Sequence, residues 1–80
     1  MTKFEVGRVY RVISIEDNNA FWFFEVTHRT SKQVTFNQPG DPTQFKKRIN
    51  LRNDVEVAYP FGKYPMCPML NASRAVDKEN

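Results

Sequence analysis

The stretch from Ala20 to Asn37 constrains this chain more than any other. It reads Ala-Phe-Trp-Phe-Phe-Glu-Val-Thr-His-Arg-Thr-Ser-Lys-Gln-Val-Thr-Phe-Asn, with the single Trp and four of the seven Phe of the chain. Runs of β-branched and aromatic residues stand on either side of a polar break, Thr30-Ser31-Lys32, and this pattern predicts a β-hairpin. Side chains alternate between the faces of a strand. Strict alternation therefore predicts an inward set of Trp22, Phe24 and Val26 with His28 at its end, and an outward set of Phe21, Phe23, Glu25, Thr27 and Arg29. Beyond the turn, Val34 and Phe36 join the inward face, while Gln33, Thr35 and Asn37 join the outward one. An outward face that mixes two rings with Glu25, Thr27 and Arg29 is half-wet and suited to contact.

The rest of the chain extends this β pattern. Residues 4–15 read as a first strand, with Gly7 marking a bulge or a turn into it. Two registers compete there for the core face, Val9, Ile13 and Ile15 against Tyr10 and Val12. Glu16-Asp17-Asn18-Asn19 is a polar turn cluster. Gln38 to Thr43 is a loop in which Pro39-Gly40 suits the central pair of a type II turn, whose second position needs positive φ. In residues 44–52, Phe45, Ile49 and Leu51 are expected inward with Lys47 between them, and Lys46, Arg48, Asn50 and Arg52 outward. Asn53-Asp54 reads as a tight turn, after which Val55, Val57 and Tyr59 alternate with Glu56 and Ala58. No helical periodicity persists over residues 4–59. The expected core is Trp22, Phe24, Val26, Val34, Phe36, Ile49, Leu51, Val55 and Val57.

Five strands joined by short turns point to an all-β fold, a small antiparallel barrel of SH3-like or OB-like closure. Residues 1–59 form the expected barrel core. Residues 60–70 have three prolines, which exclude a helix interior and a central strand, yet they are rich in Phe61, Tyr64, Met66, Met69 and Leu70. They read as a Pro-rich arm packed over an open end of the sheet. A polyproline-type ligand for a partner is the other reading of the arm. Residues 71–80 read as a polar, frayed tail with at most one helical turn.

Composition narrows the functional classes. Eighty residues make one domain with a modest core, and with 14 % aromatic residues the large rings do most of the burying. The single Cys, Cys67, rules out an intramolecular disulfide framework and fits a reduced, intracellular setting. The chain has no apolar run of the ~18 residues that suggest a membrane span, and its N-terminus lacks the apolar core of a secretory signal. The net charge of +3 is unevenly placed. In residues 1–30, Lys3, Arg8, Arg11 and Arg29 balance Glu5, Glu16, Asp17 and Glu25. In residues 31–53, Lys32, Lys46, Lys47, Arg48 and Arg52 face only Asp41, an excess of +4, whereas residues 54–80 carry −1. A localised excess of this kind steers anionic partners.

The outward row Lys46, Arg48, Asn50 and Arg52, with Arg29 and Lys32 near the first turn, is therefore the leading candidate for contact. Basic side chains neutralise phosphates, and exposed rings such as Phe21 and Phe23 stack on unpaired bases. The same charges also serve as edge protection against strand-to-strand aggregation. Catalytic chemistry has little to build on. His28 and Cys67 are the only residues of their kinds, nothing flanking either resembles a nucleophile motif, and together they offer two of the roughly four ligands zinc requires. Most of the set Glu16, Asp17, Glu25, Asp41, Asp54 and Glu56 falls at turns, where acidic residues are ordinary, and three glycines make no phosphate loop. The expectation is a non-enzymatic module without catalytic residues, metal or cofactor.

Two segments carry a resemblance. Arg29-Thr30-Ser31-Lys32, followed by a Val-Thr strand, resembles an Arg-Thr-Ala-Lys turn. Tyr59-Pro60-Phe61-Gly62-Lys63-Tyr64-Pro65-Met66-Cys67-Pro68 resembles a Tyr-Pro-x-Gly-x-Tyr-x-Met-x-Pro ending, with Ser31, Pro65 and Cys67 in place of smaller residues. Both belong to a group of small all-β proteins carried by bacterial phages and mobile elements. The resemblance spans residues 4–72 and implies a mobile-element origin and the cytoplasm of a bacterial host. The primary functional expectation is nucleic-acid binding through Arg29, Lys32, Lys46, Arg48, Arg52, Phe21 and Phe23. The alternative is an inhibitor that binds and blocks a host protein such as a defence nuclease.

Overall fold

A computed structural model describes residues 1–14 and 20–76. The turn cluster Glu16–Asn19, with Ile15, and the end of the expected tail, residues 77–80, lie outside the described residues. The fold is all-β. A four-stranded antiparallel sheet of order β1-β2-β3-β4 is built from β1 (Val9–Ile13), β2 (Phe21–Arg29), β3 (Gln33–Asn37) and β4 (Gln44–Arg48). A second antiparallel sheet of order β5-β6-β7 is built from β5 (Asn50–Arg52), β6 (Val55–Ala58) and β7 (Leu70–Asn71). The described residues thus form two open sheets rather than the expected five-stranded SH3-like or OB-like barrel. Among them, no helix is long and apolar enough to cross a membrane.

The turns follow their residues. At the β2–β3 turn the Thr30 hydroxyl accepts from the backbone N–H of Lys32 and Gln33, at 3.2 and 3.0 Å. Gly40 takes φ of 84° and the Asp41 N–H donates to the Gln38 carbonyl at 2.9 Å, as a Pro-Gly type II turn requires. Asn53 and Asp54 both sit at positive φ, 52° and 66°, and close a two-residue hairpin between Arg52 and Val55. Asn and Asp tolerate this left-handed conformation better than most side chains.

The competing registers of the first strand are resolved. Tyr10 and Val12 are buried, opposite Phe24 and Trp22 of β2, so Val9 and Ile13 face outward. The core gathers Phe4, Tyr10, Val12, Phe24, Val26, Val34, Phe36, Ala58, Leu70 and Ala72. Phe24 is its aromatic centre, with ring centroids 5.1 Å from Phe36 and 5.5 Å from Phe45. Trp22, Ile49 and Val55 pack against this core without being fully buried. Leu51, expected inside, is 57 % exposed. The single run imagined over residues 44–52 divides at Ile49, where the chain leaves one sheet for the other and alternation is lost.

The segment 60–76 is integral to the fold. Pro60, Cys67, Pro68 and Leu70 are buried, and the Phe61 ring lies 5.1 Å from Trp22 and 6.1 Å from Phe24. Tyr64 and Met66, expected to cover the sheet with Phe61, are instead 48 % and 53 % exposed. Residues 71–76, read as part of a frayed tail, are paired. Asn71 faces Val57 in β7, Ala75 bridges Tyr10, and the Val76 N–H donates to the Val9 carbonyl at 2.8 Å.

Candidate functional site

A bulge decides which charges face solvent. The β2–β3 register slips between Val26 and His28, so His28 lies opposite Thr35 and Arg29 opposite Val34. One extra residue in a strand reverses the alternation beyond it. His28 therefore turns out to solvent and Arg29 turns in, the reverse of what strict alternation predicts.

The inward Arg29 meets Glu56 of β6. Its Nη1 donates to Glu56 Oε1 at 2.6 Å and its Nη2 to Oε2 at 3.0 Å, a bidentate pair. Nη1 also donates to the Phe4 carbonyl at 2.9 Å, and Glu56 Oε1 accepts the Phe4 N–H at 2.8 Å. Burial pushes the Glu56 carboxyl up, but the hydrogen bonds from Arg29 and Phe4 and the guanidinium charge outweigh it and hold the group below its ordinary range. The hydrogen bond to Glu56 likewise raises Arg29. Arg29 is thus committed to tying the N-terminal segment and the second sheet to the first. Glu56, named above only among the ordinary carboxylates, is 4 % exposed, and one carboxylate in an alternating strand carries no signal of such burial.

The outer face of the four-stranded sheet gathers most of the other candidates. Its register runs Ile13–Phe21 and Arg11–Phe23 at one end, then Val9–Glu25–Asn37–Gln44, then His28–Thr35–Lys46, and finally Gln33–Arg48. Phe21 and Phe23 are 50 % and 38 % exposed and meet edge to face with centroids 5.4 Å apart. The Arg11 guanidinium stands 5.4 Å from the centre of the Phe21 ring. Its position opposite Phe23 was hidden until the register of the first strand was known. Phe21, Phe23 and Val9 border a shallow groove of about 520 Å³ whose other wall is the loop Gln38–Asp41. Asn37 holds that wall in place, its Nδ2 donating to the Gln38 and Asp41 carbonyls at 3.2 and 2.9 Å.

Lys46 and Arg48 are exposed on the same outer face, and Lys32 is exposed at the adjoining turn. The aromatic pair and the cations are separated along β2 by roughly 15 Å, from the usual strand rise. Arg52 stands apart on β5 of the other sheet, with its Nη1 4.0 Å from Met69 Sδ. His28 is exposed on β2 and Cys67 is buried in the 60–69 segment. No cluster of three or more His, Cys, Asp or Glu able to hold a metal occurs among the described residues. Comparison with protein-family models, curated proteins and solved structures found no match to the chain.

Proposed function

We propose that this protein is a non-enzymatic module that binds single-stranded nucleic acid across the outer face of its four-stranded sheet. One observation carries the reading: Phe21 and Phe23 are solvent-facing rings on the same sheet face as Lys46 and Arg48. Every base has a π-face, so such a ring pair accepts bases with little sequence preference, and the cations take the backbone. Gln38 and Asp41, across the groove, offer hydrogen-bond partners to the edge of a stacked base. Lys32 extends the backbone track at the β2–β3 turn. Arg52 belongs to a different surface and Arg29 to the fold, so neither is part of this track. In line with the resemblance of the Arg29–Lys32 turn and the Tyr59–Pro68 segment, the protein works in a bacterial cytoplasm as the product of a phage or mobile element.

The test is a salt titration of binding to unstructured oligonucleotides. Each phosphate contact to a single strand contributes about −0.7 to the log–log salt slope, so replacing Lys46 and Arg48 together by Ala flattens it by about 1.4. Replacing Phe21 and Phe23 by Ala leaves the slope in place and weakens binding by about 1–3 kcal/mol for each base unstacked. Absence of salt-dependent binding by the wild type overturns the reading. The surface then passes to the inhibitor alternative, in which Lys46 and Arg48 meet acidic residues of a host protein and set the on-rate.

A further inference from the structure

A second concavity, of about 500 Å³, lies beside β1, between the outward side chains Arg11 and Ile13 and the segment from Met69 to Val76. Its walls are fixed by backbone pairing: the Arg11 N–H donates to the Arg74 carbonyl at 3.1 Å, and Ala75 bridges Tyr10. Arg11 and Arg74 both line it, and among the described residues no carboxylate does. Among the described residues, neither of these arginines has a carboxylate partner, whereas Arg29 is paired with Glu56. Asn71 lines it too, and its Oδ1 accepts from the N–H and hydroxyl of Ser73, at 2.8 and 2.6 Å. Ile13, Met69 and Val76 supply apolar wall.

We propose that this cleft is a terminal-phosphate site, and that it takes the phosphomonoester end of the strand whose bases stack on Phe21 and Phe23. The inference rests on the nucleic-acid reading above. A phosphomonoester carries about −1.5 to −2 charges at neutral pH, where an internal diester carries one, and two guanidinium groups suit the former. The volume falls in the range of small-ligand pockets, of the order needed for a phosphate and its sugar. Arg11 joins the two sites, since its guanidinium also stands 5.4 Å from the Phe21 ring centre. A strand stacked on the rings thus meets the cleft at the edge of the sheet, where Arg74 and Asn71 wait for its end.

The experiment measures affinity of the full chain for one short unstructured oligonucleotide with a 5′ phosphate, with a 3′ phosphate, and with hydroxyls at both ends. One of the phosphorylated forms binds about tenfold tighter than the hydroxyl form, as expected for added charge-assisted hydrogen bonds. The gain fades below pH ~6 as the monoester loses its second charge. Arg74→Gln, an exposed position, abolishes the gain and leaves the hydroxyl form bound as before, with an unchanged melting curve. A hydroxyl form that binds well with no gain from either phosphate, or a gain that survives Arg74→Gln, overturns the cleft while the stacking face stands. A nucleoside monophosphate titrated by NMR separates the remaining case. If no oligonucleotide binds but the monophosphate does, and Arg74→Gln removes it, the stacking reading falls and the cleft is a free-nucleotide site.

Discussion

At the scale of single residues, the Arg29–Glu56 pair is the most exacting feature of this molecule. Removing one partner of a buried pair leaves the other charged and unpaired, so Arg29→Ala costs about 3 kcal/mol or more, a large part of the stability of so small a domain. Chemical denaturation measures it. The pair also sets an acid limit. The folded pKa of Glu56 lies below its unfolded value, so its stabilisation is complete above the ordinary carboxylate range near 4.5 and is lost as pH falls through the depressed value. Glu56→Gln lowers stability at neutral pH and flattens its dependence on pH in that acidic window. Phe24, fully buried at the centre of the ring cluster, costs about 3–5 kcal/mol when cut to Ala, and half-buried Trp22 costs less. Equal losses at the two sites contradict this ranking. None of the pairing of Arg29 was visible in the sequence. Alternation places Arg29 outside, and only the slip after Val26 turns it in. Phe24, Val26, Val34 and Phe36 lie before the slip or opposite it, and for them simple alternation sufficed.

At the scale of elements, turn chemistry was more legible than strand length. Pro39-Gly40 and Asn53-Asp54 announce their conformations because few residues tolerate the positive φ seen at Gly40, Asn53 and Asp54. The division of residues 44–52 was not legible. Phe45, Lys47 and Ile49 keep inward register, and nothing in the residues themselves says that the chain turns at Ile49 toward a second sheet, exposing Leu51. Of the arm expected over residues 60–70, Phe61 reaches the ring cluster while 40 % exposed, and neither its apolar residues nor the polar ones after it gave a hint that Leu70 and Asn71 would pair with β6. Its contribution is testable. Phe61→Ala removes the ring that meets Trp22, Phe24 and Phe45 and lowers the melting temperature. Truncation after Tyr59 also removes β7 and Leu70, and a cooperative melt at the wild-type temperature after that truncation contradicts a structural role for the segment.

At the scale of the whole molecule, the two sheets divide the labour. The second sheet and the N-terminal segment are drawn together by Glu56 and Arg29, while the outer face of the four-stranded sheet keeps its rings and cations in water. The charge excess of residues 31–53 was legible as a sum, but its distribution was not. Lys46 and Arg48 share a face with Phe21 and Phe23, Arg52 does not, and Arg11, from a charge-balanced segment, joins the aromatic end. The measurement that tests the central claim most directly is a residue-resolved NMR titration of the protein with a short single-stranded oligonucleotide at low salt. The account predicts that the largest shifts fall on Arg11, Phe21, Phe23, Lys46 and Arg48, with Arg52 and β5 unmoved. Shifts centred on Arg52 and Leu51, or none at all, contradict it.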